Sequence, residues 1–152
     1  MGDHSVVAEL NLERLAAELE IRNVLARLAQ LADTGDTDEY LSLLTDDIEW
    51  AMPANVAIGL AASERRGHDE IAAGQRERIA AGLQGPGTDT LHMISTISVQ
   101  LDGGDVATAR SYFTFWGATS ATPAVKSMGR YVDTLRRTAA GWKLARREIT
   151  FG

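Results

Sequence analysis

Cysteine is absent from the 152-residue chain. This excludes a disulfide framework, a thiolate nucleophile and cysteine-ligated zinc or iron–sulfur sites. There is no excess of positive charge either. The net charge is −6, so nothing in the balance points to nucleic acid or an anionic membrane. No run approaches the roughly 20 apolar residues of a membrane span. Glycines form no phosphate-binding motif, and no serine sits in an elbow motif. Repeats, linkers and low-complexity tracts are missing. The N-terminal stretch MGDHSVVAELNLERL carries acids early and no continuous apolar run, which argues against a signal peptide. A cytoplasmic location is the expectation.

What remains is an ordinary globular composition, 45% hydrophobic and 24% charged, at a length suited to one domain. A chain of this size buries about 68–70% of its unfolded surface and needs no covalent staple. Arginine far outnumbers lysine, and alanine is abundant, as in GC-rich bacterial genomes.

The first third predicts helix. From Asn11 to about Ala32 there is no Gly or Pro, and Leu, Ala, Glu and Arg dominate. Leu12, Leu15 and Leu19 form one apolar row; Ile21, Val24, Leu25, Leu28, Leu31 and Ala32 form a second, slightly rotated one. The pattern predicts one long helix with a broad buried face, bent near Ile21, and Gly35 as its left-handed terminator. Residues 1–9 are expected to be a flexible tail. Asp36 and Glu39 fit a capping box opening a short second helix. Residues 48–52 alternate like a strand, 53–66 look like loop, and 68–83 predict a third helix with Ile71, Ile79 and Leu83 in one row. Four long strands follow, over 90–101, 106–117, 125–138 and 142–151. In the first, Leu91, Met93, Ile97, Val99 and Leu101 share one face, and His92, Ile94, Thr96 and Ser98 the other. Helices first and an antiparallel meander afterwards is an α+β order.

Three histidines are available. His4 lies in the expected tail, and His68 opens the third helix, where a local structural role suffices. His92 sits in a strand beside Ile94 and Thr96. From spacing alone it is a satisfied core histidine or a base. Asp33 stands near a helix C-terminus, where an acid is mildly unfavourable. It is a surface acid or, if buried, an acceptor for a histidine Nδ1–H. Arg130 shares a strand face with Met128 and Val132 and is an exposed edge residue or an anion anchor. Asp46, Asp47 and Glu49 do not converge as a metal site, because adjacent strand residues face opposite sides.

The order of a long helix ending in Asp, "LLTDDIEW", "RGHDEI", "TLHMIST", "GRYVDTLRR" and "GWKLARREI" resembles the SnoaL-like group of the nuclear transport factor 2-like superfamily from about residue 10 onward. The resemblance implies a cone: a curved, mostly antiparallel (mixed) sheet packed against three helices of the N-terminal half and enclosing one apolar pocket. Relatives of this pattern include scytalone dehydratase, bile-acid 7α-dehydratase, lindane dehydrochlorinase and ketosteroid isomerase. In the dehydratase branch a helix-ending Asp pairs with a strand His across the pocket; Asp33 and His92 occupy those positions. Arg130 falls where that branch can carry a pocket arginine that stabilises an oxyanion or leaving group. Trp50, Tyr112 and Thr114 are expected to line the pocket, with Tyr112 a further proton donor. Where the branch carries Tyr or Lys, five residues before the Asp, this chain has Leu28, so an acid from that helix is missing.

The implied activity is that of a cofactor-independent lyase or isomerase. It takes a proton from a small hydrophobic polycyclic, steroid-like or polyketide-like substrate, with no metal. The alternatives are a non-catalytic ligand-binding or assembly subunit and, third, an epoxide hydrolase built on Asp–Arg–Asp, for which only Asp33 and Arg130 are in view, with Asp133 expected on the opposite strand face from Arg130. A homo-oligomer, dimer or trimer, is expected through the outer sheet face, with Phe113, Phe115, Tyr131 and Leu135 as its apolar surface. No nucleic acid or membrane partner is implied.

Overall fold

The computed structural model describes residues 3–152. Helix α1 runs over Asp3–Thr34, uninterrupted by Gly or Pro. Its buried residues are Ile21, Val24, Leu25, Leu28, Ala29 and Leu31, spaced as one stripe of a 3.6-residue period. Only the second of the two expected apolar rows faces the core. Leu12, Leu15 and Leu19 are exposed, because the first half of the helix has nothing packed over that side. The expected tail also differs. Residues 3–9 continue the helix, although exposed throughout; residues 1 and 2 lie outside the described set. Gly35 ends the helix at φ 78°, its N–H donating to the Leu31 carbonyl at 2.9 Å. A left-handed residue here favours glycine.

Helix α2 covers Thr37–Ser42, with the Asp36 carboxylate accepting the Glu39 N–H at 3.0 Å. Half of the expected capping box forms. The Glu39 carboxylate is engaged instead by Arg27 of α1, at 2.7–3.0 Å. Strand β1, Leu44–Met52, follows. The stretch read as loop contains a short 3-10 turn at Val56–Ile58 and a strand β2, Ser63–Arg66. The sequence Ser-Glu-Arg-Arg carries no apolar alternation, so an edge strand there leaves no hydrophobic trace. Helix α3 spans Gly67–Ala80, and His68 Nε2 lies 3.3 Å from the Leu44 carbonyl, tying the helix start to β1.

Four long strands complete the chain: β3 Thr90–Leu101, β4 Val106–Gly117, β5 Ala124–Thr138 and β6 Gly141–Phe151. The six-stranded sheet has the order β2-β1-β6-β5-β4-β3. Among the described residues only the β1–β6 pair is parallel, so the sheet is mixed, curved and open at β2 and β3. The three helices cover its inner face. Among the described residues, no helix is long and apolar enough to cross a membrane.

Two local irregularities decide which side chains face inward. In β3 the register slips between Ser95 and Ser98, and Thr96 sits at φ 52°. This is a bulge, and it reverses the alternation. Before it His92 and Ile94 point inward; after it Ile97, Val99 and Leu101 do. The single row expected from Leu91 to Leu101 is therefore broken, and Met93 is outside. In β6 the register slips opposite Thr134 and Leu135, so that Trp142 and Leu144 and then Arg147 and Ile149 are buried.

Candidate active site

Asp33 is in the last turn of α1, and β3 passes beside it. The Asp33 carboxylate accepts the backbone N–H of His92 at 3.0–3.2 Å and lies 2.7 Å from its Nδ1. Both side chains are largely covered, at 16% exposure for His92 and 20% for Asp33. A carboxylate cannot donate, so Nδ1 carries the proton, and in the neutral ring Nε2 keeps its lone pair. Nε2 has no hydrogen-bond partner among the described residues, and the ring lies in the wall of a cavity. Phe115 flanks the imidazole, with ring centroids 4.6 Å apart. The pairing expected between Asp33 and His92 is in place.

The cavity measures about 370 Å³. Helix α1 contributes Leu28 and Ala32, β1 contributes Trp50 and Met52, and the sheet floor contributes Ile94, Phe113, Ile149 and Phe151. Trp50 lines it as expected. Leu28 does too, and it supplies no proton donor.

Three other expected site residues are elsewhere. Tyr112, Thr114 and Arg130 lie on the outer face of the sheet. Tyr112 pairs with Arg130 across β4 and β5, their side chains meet in a cation–π contact of 5.7 Å, and both are exposed. Thr114 stands between Met93 and Met128, which are also exposed. The residues given to the outer face, Phe113, Phe115, Tyr131 and Leu135, are instead turned inward. Both faces of β4 and β5 carry apolar side chains, so alternation alone does not say which is inside. Pairing does: Phe115 is opposite His92 and Phe113 opposite Ile94.

Inside the cavity are polar groups that the sequence reading passed over. Arg147 makes two hydrogen bonds of 2.9 Å to Asp133, which is fully buried. Burial alone pulls the Arg147 pKa down. The Asp133 carboxylate more than offsets this, and the guanidinium is held protonated. Arg147 also lies 3.9 Å from the centre of the Tyr131 ring. Burial pushes the Tyr131 phenol up to about 12, with the Arg147 charge pulling the other way. Tyr131 therefore stays a hydrogen-bond donor at neutral pH. Tyr40 from α2, Gln75 and Arg78 from α3, Gln84 beyond it, and Lys126 and Ser127 of β5 add to the polar lining. Gln75 and Arg78 had a signal: with Ile71 and Ile79 they fall on one helix face at i, i+4, i+7 and i+8. Asp133 and Arg147 were hidden by the β6 bulge and by the undecided phase of β5. The Asp–Arg–Asp arrangement considered for an epoxide hydrolase does not assemble from Asp33, Arg130 and Asp133, since Arg130 is outside and Asp133 is bound to Arg147. No group of three or more His, Asp or Glu among the described residues could hold a metal ion.

The pattern of the SnoaL-like domain matches residues 13–148. Among curated proteins no match is found. Solved structures do match. An NTF2-like protein with a cystatin-like fold from Novosphingobium aromaticivorans is 29% identical, with a TM-score of 0.78 over 99% of this chain and 91% of its own. A candidate scytalone dehydratase from the same organism is 21% identical, TM-score 0.71, over 95% and 88%. The beta subunit of a candidate aromatic-ring-hydroxylating dioxygenase, again from that organism, is 17% identical, TM-score 0.70, over 92% and 91%. The last two share the fold alone.

Proposed function

The chain belongs to the SnoaL-like domain family, and from that premise we propose that it is a cofactor-independent lyase or isomerase acting on a small hydrophobic substrate. The observation that carries this reading is the Asp33–His92 contact of 2.7 Å in the wall of an apolar cavity. His92 Nε2 accepts a proton from an acidic carbon or hydroxyl of the substrate. Asp33 keeps the ring in the reactive tautomer and stabilises the imidazolium that forms. The electron pair left behind becomes a double bond as a leaving group departs, or is held as an enolate and reprotonated at another carbon. The Tyr131 and Tyr40 phenols are the donors offered to the developing oxygen charge. They take the place foreseen for Arg130 and Tyr112. A base of this kind contributes typically about 10²–10⁴-fold. The candidate scytalone dehydratase among the structural matches accords with an elimination.

The test is deuterium exchange at acidic carbons. Bicyclic and tricyclic ketones such as 2-tetralone are incubated in D₂O with the protein and followed by NMR. The wild type accelerates exchange of at least one probe over buffer. His92→Ala abolishes the acceleration with little change in Tm, and Asp33→Asn lowers it by about 10²-fold or more. Equal exchange by wild type and His92→Ala contradicts the base assignment. Binding of the probes with no exchange in any of them supports the other reading, a ligand-binding or assembly subunit, which the buried Leu28 in the acid's position favours.

We further propose a homo-oligomer formed through the outer sheet face, where Met93, Tyr112, Val125, Met128 and Val132 are exposed.

A further inference from the structure

Three cations line the cavity, Arg78, Arg147 and the exposed Lys126. The Arg147 charge is taken up by Asp133. Arg78 has no carboxylate within ion-pair distance among the described residues. Its Nε donates to Gln84 Oε1 at 3.2 Å, and its guanidinium lies 5.2 Å from the centre of the Trp50 ring. Its two terminal nitrogens are left without an acceptor. Burial is the largest influence on its pKa and draws it down, as desolvation of a charge does. One turn earlier on α3, Gln75 is 1% exposed, and neither its amide nitrogen nor its amide oxygen has a partner. An unpaired buried amide is costly, and the Arg78 guanidinium beside it is half-buried with donors to spare. Side by side in the wall of an apolar cavity, the two make a receptor for an acceptor group.

We propose that Arg78 and Gln75 bind a carboxylate on the substrate, so that the ligands of this pocket are hydrophobic ring systems bearing a carboxylic acid. A carboxylate offers two coplanar oxygens, the geometry a guanidinium fork takes up. Its charge is neutralised inside a low-dielectric wall, where such a pair is strong. The proposal rests on the cavity being the substrate site, as read above, and adds which chemical class enters it. It assigns Arg78 to the recognition of a fixed group remote from the base.

The test uses 2-naphthoate and its neutral isostere 2-naphthamide, with affinities from calorimetry. Wild type is expected to bind 2-naphthoate at least about tenfold more tightly than the amide, as a charge-assisted pair in a dry site gives. Arg78→Gln removes the preference, and Arg78→Lys keeps part of it. Thermal melts of both variants establish that they fold. Gln75→Met weakens 2-naphthoate without lowering Tm, because the amide it removes has no partner in the free protein. His92→Ala keeps the preference for 2-naphthoate, which separates recognition from the base. Equal affinities for the two probes in wild type, or a preference that survives Arg78→Gln, overturns the proposal and leaves the base assignment standing. Failure of 2-naphthoate to bind overturns the proposal, and failure of both probes overturns the reading of the cavity as the substrate site with it.

Discussion

At the residue scale, Asp33 is placed against the helix that carries it. An acid in the last turn faces the negative end of the helix dipole, a cost of about 0.3–1 kcal/mol. Two N–H donors from His92 offset it. The second ion pair, Asp133–Arg147, is buried completely enough that losing one partner strands the other. Arg147→Met is expected to destabilise the fold by about 3–5 kcal/mol, read as a fall in the urea midpoint. The double variant Arg147→Met with Asp133→Leu recovers much of that. A loss below 1 kcal/mol for the single variant would show that the pair is solvated. Asp33 was legible as an acid that breaks a local preference at a helix end; spacing left His92 open between core histidine and base, and the pairing of the two was legible only through the family resemblance. Arg147 breaks one too, but it stands among Arg146 and Glu148, where a charged run reads as solvated surface.

At the element scale, the site depends on strands whose phase is set by irregularities. The Thr96 bulge turns β3 over between the site residue His92 and the core residues Ile97 and Val99. Gly129 in β5 performs a related service. A Cβ there would collide with the Thr150 carbonyl and lie 2.8 Å from the Phe113 ring. The missing side chain leaves the space that ring occupies. Gly129→Ala is expected to cost about 1–3 kcal/mol, as overpacking does. It should also weaken binding of any ring-shaped probe, measured by thermal melt and calorimetry on one sample. A variant as stable as wild type and unchanged in binding would mean that the floor yields freely. The long elements were legible because α1 and the four long strands carry strong periodicity over ten residues or more. The phases of β4 and β5 were not, since apolar residues alternate with apolar residues there and only the cross-strand register separates inside from outside.

At the scale of the whole molecule, burial is uneven. The inner sheet face closes on α1 and the cavity, while the outer face presents a band of apolar side chains. Contiguous exposed apolar surface of this kind marks association. Light scattering is expected to give a dimer or trimer at micromolar concentration. Met128→Lys with Val132→Lys should shift it toward monomer while leaving 2-naphthoate binding intact, because neither side chain reaches the cavity. A wild-type monomer would contradict the assembly. The architecture as a whole was legible from element order. Which of two apolar faces encloses the ligand was a property of the folded sheet.

All of the proposed chemistry requires that the His92 ring hold its proton on Nδ1 and offer a bare Nε2 to the cavity. Long-range proton–nitrogen NMR of the ¹⁵N-labelled imidazole, in the neutral form of the ring, observes this directly. The expected spectrum shows a protonated Nδ1, an unprotonated Nε2, and a shift of Nε2 when 2-tetralone is added. A ring protonated on Nε2, or an Nε2 indifferent to the ligand, would contradict the account.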